Sequence, residues 1–187
     1  KFKNFNIDIR NSSQVEKIFK RYKKDISIII HCAAQPSHDY GKNFPLVDFD
    51  VNARGTLNLL ELTKNYCPNA PFIFMSTNKV YGDNPNRLNL VEDKFRYKVK
   101  AGTKFEFGIN EKMSIDNTLH SVFGASKTSA DILVQEYGKY FGLNTVYDTS
   151  WDFDNDGKND WIAKKASSYR IIDRSFESMV RVTSNFS

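Results

Sequence analysis

The stretch ISIIIHCAA (residues 26–34) decides the fold. Four of its first five residues are isoleucine, and it ends in small side chains. Because polar and apolar residues do not alternate along it, the stretch predicts a β-strand that is buried on both faces. Strands of this kind are typical of parallel sheets that have helices packed on both sides.

The sequence on either side of this strand alternates between helix and strand patterns. Residues 12–24 have apolar residues at helical spacing, and Ser12 or Ser13 can cap this helix. Further strands are predicted at residues 4–10, 71–82 and 143–148, and further helices at 45–67 and 121–142. This order predicts a three-layer α/β fold, in which a parallel sheet lies between helices on both faces.

The composition narrows the functional classes. The chain has 187 residues, 40% of them hydrophobic, and a formal net charge of +5. Its lysine-rich runs at 17–24 and 94–104 interleave apolar residues, which favours solvated faces over binding of nucleic acid or another anionic partner. The longest apolar run, residues 26–30, is too short to cross a membrane. Two separated cysteines and no visible signal peptide predict a cytoplasmic protein.

Candidate binding residues follow the predicted strands. Ligands of parallel α/β sheets bind outside the carboxyl ends of the strands. An acid there could accept a hydrogen bond from an adenine amino group, an isoleucine could pack on the ring, and small residues would let the backbone approach a cofactor. Each residue also has an ordinary explanation in a turn or in strand-end packing. The residues at these strand ends are Asp8, Ile9, Cys32, Ala33, Ala34, Ser76 and Thr77.

Two of the predicted helices add polar groups to the same region. Phe123 and Lys127 are four residues apart, so they share one face of their helix. The Lys127 ammonium could bond a ribose and lower the pKa of a nearby acid. Asn52, early in its helix, could tie strand ends together through its amide. The long polar stretch at 83–119 predicts a functional loop.

Several separated motifs agree in order and spacing with one enzyme family. They are HCAAQPSHD (31–39), VNARGTLNLLE (51–61), FMSTNKVYGDNPNRL (74–88) and GINEKMSIDNTLHSVFGASK (108–127). These motifs resemble extended short-chain dehydrogenase/reductases of the NAD-dependent epimerase/dehydratase family, within it the CDP-tyvelose (CDP-paratose) 2-epimerase group. The resemblance implies a Rossmann-like fold, incomplete here, with a partial NAD(P)-binding domain at residues 1–148 and a divergent tail at 149–187.

The resemblance also implies a reaction and roles for particular residues. In this group, C2 of a CDP-dideoxyhexose is oxidised to a ketone with NAD and then reduced on its other face. Thr77 and Lys127 would be catalytic, and a homodimer is possible in the full-length family. The cofactor would contact Asp8, Ile9, Cys32, Ala33, Ala34, Asn52, Met75, Ser76 and Lys127, and the sugar nucleotide would contact His38, Thr77, Asn78 and the loop at 83–119.

The sequence departs from the family pattern at the position of the proton-transferring tyrosine. Phe123 stands there, and a phenyl ring cannot accept a proton. One interpretation is that another base replaces the tyrosine, with Tyr81, Tyr97 and His38 as candidates. The other is that the chain is a non-catalytic remnant or a binding module.

A second departure concerns the cofactor. The family's Gly-x-x-Gly-x-x-Gly turn, which places backbone N–H groups on the pyrophosphate, does not occur in the sequence. We therefore predict weak or no NAD binding by this chain. The chain also opens on lysine rather than methionine, which suggests the central fragment of a longer protein.

The tail contains WDFDNDGKNDW (151–161), where the resemblance has ended. Alternating acids on a tight glycine turn can converge on a calcium ion, and the pattern resembles the calcium loops of FG-GAP propeller repeats. An EF-hand is not expected, because Ala163 stands where its ligating glutamate would be. The alternative is an acidic turn that binds nothing. The candidate ligands are Asp152, Asp154, Asp156 and Asp160.

Overall fold

The computed structural model describes residues 3–92, 94, 97–110, 112–148, 163–165 and 180–182. Its α-helices are α1 (Ser12–Tyr22), α2 (His38–Asn43), α3 (Pro45–Phe49), α4 (Gly55–Tyr66) and α5 (Ser121–Lys139). Its strands are β1 (Lys3–Phe5), β2 (Ile29–His31), β3 (Phe72–Met75), β4 (Leu90–Glu92), β5 (Tyr97–Val99), β6 (Thr145–Asp148), β7 (Ala163–Lys165) and β8 (Val180–Val182). No helix among these residues has both the length and the apolar character needed to cross a membrane.

A four-stranded sheet in the order β2-β3-β6-β7 forms the centre of the fold. The pairs β2–β3 and β3–β6 are parallel, and β7 runs antiparallel to β6. The α/β fold with a parallel sheet flanked by helices is therefore confirmed. Because β2, β3 and β6 run in the same direction, the residues that follow them emerge at one edge of the sheet.

The first predicted strand is shorter than expected and lies outside this sheet. The observed strand is Lys3–Phe5, so only its last two residues fall within the predicted 4–10, and it pairs in parallel with β8. The residues that follow close local hydrogen bonds instead of continuing a ladder. The Ile7 N–H donates to the Phe5 carbonyl at 3.1 Å, and the Asn11 N–H donates to the Asp8 carbonyl at 3.0 Å.

The long helix predicted at 45–67 contains a π-helical segment between α3 and α4. This segment is Asp50–Arg54, and the N–H of Gly55 donates to the carbonyl of Asp50, five residues back. Its middle residues Val51, Asn52 and Ala53 are all buried. A single π turn rotates the following side chains relative to an uninterrupted α-helix, and such turns are frequent at functional sites. Here it coincides with the inward-facing amide of Asn52.

The main core lies between the sheet and helices α1, α4 and α5. Helix α1 begins after Asn11, whose side chain accepts a hydrogen bond from the Gln14 N–H, so the capping residue is Asn11 and not the predicted Ser12 or Ser13. The core contains apolar residues of the predicted helices and of the strand predicted at 71–82, whereas Ile30, in the strand predicted to be buried on both faces, is 44% exposed. Its members that are 0% exposed are Ile9, Val15, Val51, Leu60, Phe72, Ala130 and Val134.

The predicted loop at 83–119 carries a small hairpin. Strands β4 and β5 pair antiparallel, with Val91 opposite Lys98. A second apolar cluster, formed by Val80, Tyr81 and Met113, lies at the base of this excursion. The sequence pattern did not predict these short strands, because three-residue strands are too short to show alternation.

A substitution at Gly55 tests how closely the residue after the π segment packs against Ile9. A Cβ at Gly55 would lie 2.6 Å from Ile9 Cδ1 and 2.8 Å from Ile9 Cγ1, and Ile9 is 0% exposed. Gly55→Ala should therefore lower the free energy of unfolding by about 1–3 kcal/mol, the usual effect of overpacking a core. Urea denaturation measures it.

Ile9→Val provides the matched control, because it removes the Cδ1 atom nearest to the added methyl. In the double variant the loss should be smaller than the sum of the two single losses. Additive losses, or a Gly55→Ala variant as stable as the parent, would contradict this packing.

Candidate functional site

Lys127 lies at the centre of the candidate site. Its side chain is buried, 4% exposed, and its Nζ donates to the carbonyl of Met75 at 2.8 Å. The same ammonium lies 4.2 Å from the centroid of the Phe74 ring. These contacts attach the face of helix α5 to the carboxyl end of strand β3.

Burial lowers the pKa of Lys127 from 10.5 to about 8, with the negative charge of Asp131 acting in the opposite direction. Asp131 lies one helical turn after Lys127 on α5. Burial raises the pKa of Asp131, while hydrogen bonds from Ser76 and Gln135 lower it in part. The site therefore holds a weakly basic lysine and a shielded carboxyl group side by side.

The residues after β3 bind to the same helix face. Ser76 Oγ donates to Asp131 Oδ2 at 2.5 Å. Thr77 caps the short 3-10 turn Asn78–Tyr81 by accepting a hydrogen bond from the Lys79 N–H at 3.3 Å. Thr77 and Asn78 are both partly exposed, so their polar groups can reach a ligand at this edge.

A buried polar network joins the segment after β2 to α5. Asn52 Oδ1 accepts from the Gln35 N–H at 2.8 Å, and Asn52 Nδ2 donates to Ser126 Oγ at 3.0 Å. The carboxylate of Asp48, which is 0% exposed, accepts from Ser126 Oγ and, at 2.5 Å, from Gln35 Nε2. Asn52 thus ties the segment after β2 to helix α5, and its described bonds do not join two strand ends as the sequence suggested.

His31 extends this network toward the sheet. Thr56 Oγ1 donates its single hydrogen to the Asn52 carbonyl at 2.6 Å, so it can only accept a hydrogen bond from any other group. The His31 Nε2 atom, 2.8 Å from Thr56 Oγ1, must therefore donate. Burial, together with the charge of Lys127, lowers the pKa of His31 to about 3, so this ring is neutral at physiological pH.

Phe123 lies one turn before Lys127 and is 7% exposed. Its ring contacts the ring of His38, with centroids 5.1 Å apart and planes at 54°. His38 itself is exposed to solvent and begins helix α2. The structure thus places the ring of His38 against that of Phe123.

The residues expected to hold the adenine end are placed differently. The carboxylate of Asp8 is bound by Arg10, whose Nε and Nη2 donate to Asp8 Oδ2 at 2.9 and 2.5 Å, and the ion pair lowers the pKa of Asp8. The side chain of Ile9 packs in the core and leaves no surface for a ring. Of the small residues after β2, Cys32 is exposed and Ala33 packs against the core.

Sequence reasoning missed several polar residues of this site. The i, i+4 spacing of Lys127 and Asp131 could have indicated the carboxyl group, because both residues share a helix face. The remaining partners are distant in the chain and give no local signal. They are Gln35, Asp48 and Ser126.

Metal binding finds no support in the part of the chain that the structure describes. No group of three or more His, Cys, Asp or Glu residues there could hold a metal ion. The four aspartates of the predicted calcium turn, from Asp152 to Asp160, lie outside the described residues.

Comparison with known proteins identifies the family. The model of the NAD dependent epimerase/dehydratase family matches residues 2–147. The chain belongs to this family. Its fold resembles that of the UDP-glucose 4-epimerase of Thermus thermophilus, whose crystal structure contains NAD, with a TM-score of 0.56 and 27% sequence identity over 75% of this chain and 38% of that one.

Curated members of the family include relatives with different reactions. The chain is 37% identical over 140 residues to the CDP-paratose 2-epimerase of Salmonella typhi, covering 74% of this chain and 39% of the relative. It is 32% identical over 143 residues to the UDP-glucuronate 4-epimerase of Thermodesulfobacterium geofontis, and this match covers 76% of this chain and 36% of the relative. The chain thus spans less than half the length of these epimerases.

Ser126→Ala tests the buried network of this family member. It removes the hydroxyl that donates to Asp48 and accepts from Asn52, and both partners are buried. We expect the free energy of unfolding to fall by about 1–3 kcal/mol, because buried polar atoms lose their partners. Ser129→Ala on the same helix is the control, since its exposed hydroxyl bonds only the Ala125 carbonyl among the described residues. Equal effects of the two changes on the urea midpoint would contradict the network.

Lys127→Met tests the energetic cost of the buried ammonium. The folded pKa of about 8 lies below the unfolded 10.5, so Lys127 destabilises the fold fully below pH 8 and progressively less between pH 8 and 10.5. Replacement by methionine should stabilise the protein at pH 7 by about 1–3 kcal/mol after loss of the bond to Met75.

The advantage of Lys127→Met should fade as the pH rises through this window. Denaturation at several pH values measures the trend. Lys139→Met, at the exposed end of the same helix, should change stability by no more than about 0.5 kcal/mol at any of these pH values. A Lys127→Met variant that is less stable than the parent at pH 7 would refute the assignment.

Proposed function

We propose that this chain contributes to a nucleotide-sugar epimerase that inverts C2 of a CDP-dideoxyhexose through a 2-keto intermediate. The observation that carries the proposal is the buried ammonium of Lys127, held by the carbonyl of Met75, which ends β3 two residues before Thr77. The choice of substrate rests on the 37% identity to a CDP-paratose 2-epimerase.

The residues present fit one half of a nicotinamide dinucleotide. An ammonium has three donors, and the Lys127 Nζ gives one to Met75, so it has capacity for the hydroxyls of a ribose at the sheet edge. The small side chains of Ala33 and Ala34 leave the strand end open to a cofactor. The other half fits less well, because Arg10 occupies the carboxylate of Asp8.

NAD, when bound, supplies a reversible acceptor for the hydride of the sugar carbon. The chain's own residues bind and orient. The hydroxyl of Thr77 fixes the reacting sugar hydroxyl, and the amide of Asn78 contacts the sugar. Lys127 adds a positive charge that stabilises a developing alkoxide, and the Ser76–Asp131 bond keeps the strand end against α5.

A second candidate function is binding without catalysis. The observation that favours it is Phe123, which cannot transfer a proton in the position of the family's tyrosine. In that case the protein would hold a nucleotide sugar without converting it. Binding and turnover must therefore be measured separately.

The first test is conversion of CDP-paratose to CDP-tyvelose by the purified protein with NAD in heavy water. NMR spectra of the sugar should show inversion at C2 with the original hydrogen retained, because the hydride is removed and returned without exchange. Lys127→Met should lower turnover by about 10²-fold or more. Lys139→Met is the matched control and should leave turnover unchanged.

Other outcomes would redirect or refute the proposal. A product lighter by one water would indicate a dehydratase. Incorporation of deuterium at C2 would indicate that C2 loses a proton to solvent instead of a hydride to the cofactor. Binding of the CDP-sugar without any conversion would favour the binding module.

A further inference from the structure

The ring contact between His38 and Phe123 places an imidazole where the family's tyrosine is missing. The two centroids are 5.1 Å apart, and Phe123 is 7% exposed while His38 is exposed. Phe123 thus gives the imidazole an apolar surface to pack on while its nitrogens remain accessible. An accessible imidazole is the side chain best suited to exchanging protons near neutral pH.

Local hydrogen bonds hold the segment that bears His38. The side chain of Gln35 accepts from the Ser37 N–H at 2.6 Å and donates to the Ser37 carbonyl at 2.9 Å. Ser37 Oγ in turn caps α2 by accepting from the Tyr40 N–H at 3.2 Å. The backbone immediately before His38 is therefore fixed from both sides.

The same buried network positions Phe123. Gln35 Nε2 donates to Asp48, and Asp48 accepts from Ser126 Oγ. Ser126 Oγ also lies 3.0 Å from the Phe123 carbonyl. His38 is three residues from Gln35, and Phe123 is three residues from Ser126. Because Gln35 and Ser126 both bond the carboxylate of Asp48, these bonds define the relative position of the two rings.

The other candidate bases are less suitable. Tyr81 is 7% exposed and packs in the second apolar cluster with Val80 and Met113. Tyr97 lies on the hairpin strand β5 and is 68% exposed. His31 is fully buried and hydrogen bonded to Thr56, so it cannot reach a sugar.

We propose that His38 is the general acid–base residue of this site, replacing the hydroxyl that Phe123 lacks. The proposal rests on the epimerase function proposed above. The hydroxyl proton of the sugar passes to an imidazole nitrogen of His38, while the hydrogen on the same carbon leaves as hydride to a bound nicotinamide dinucleotide and the C–O bond becomes a ketone. The return step reverses both transfers on the other face.

NMR of the histidine rings tests the proposal without turnover. The chain has three histidines, and His38→Gln assigns one of their C–H resonances. Because burial lowers the pKa of His31 to about 3, the His31 resonance should not titrate above pH 5. Addition of CDP-paratose should shift the His38 resonance, and the shift should persist in a His120→Gln control, which removes a ring that bonds the Ile115 carbonyl. Binding that moves other resonances but leaves that of His38 unchanged would overturn the proposal.

Measurement of turnover is the second test of the role of His38. His38→Gln should lower kcat by about 10²-fold or more with a smaller change in KM. Adding Phe123→Tyr to this variant restores a hydroxyl four residues before Lys127. The double variant should have a kcat at least about tenfold higher than that of His38→Gln alone. A His38→Gln variant with the parent's kcat overturns the role of His38 while leaving the epimerase function intact. A parent protein that neither binds nor converts the sugar overturns the epimerase function and this proposal with it.

Discussion

The buried carboxylate of Asp48 is the constraint on which the site depends. A carboxylate that is 0% exposed must have its oxygens hydrogen bonded, and here the partners come from the segment after β2 and from helix α5. Two segments that are distant in the chain are thereby held against each other. The π turn at Asp50–Arg54 contributes, because it directs Asn52 toward the same point. The contact of His38 with Phe123 and the approach of Lys127 to β3 both follow from this docking of α5.

The fold could be predicted from the sequence to the extent that it is encoded in local patterns. The isoleucine-rich run predicted a parallel strand correctly, but the expected burial on both faces was wrong. Strand β2 is only Ile29–His31 and lies at the edge of the described sheet, so Ile30 is 44% exposed. Helix α5 was predicted from its apolar spacing, and it ends close to the predicted residue. The position of β1 outside the main sheet was not predictable, because its pairing with β8 joins residues at opposite ends of the chain.

The candidate site was only partly predictable for a related reason. The motifs led to Thr77 and Lys127 because their spacing from the strands and along the helix is regular. Asp48, in contrast, is a charged residue within a helical pattern and would ordinarily be assigned to the solvent face. Its burial depends on Ser126, 78 residues away, and no local pattern links the two. The contact that distinguishes His38 from Tyr81 and Tyr97 likewise exists only once α2 packs on α5.

The energetics of Lys127 bear on whether this site serves a function or only the fold. A lysine whose pKa falls to about 8 on burial lowers the stability of the folded state, and none of its described contacts is a close ion pair. A methionine or leucine would fill the same space between Phe74 and α5 without that cost. A group that destabilises the structure but lies at the carboxyl end of a parallel strand, beside Thr77, is typical of residues retained for binding or catalysis. Phe123 removes one proton-transfer group from this site, yet the ammonium, the hydroxyl and the network that orients them remain assembled. This arrangement supports the proposal of a different base, because the ring of His38 packs against the phenyl ring that stands in the tyrosine's place.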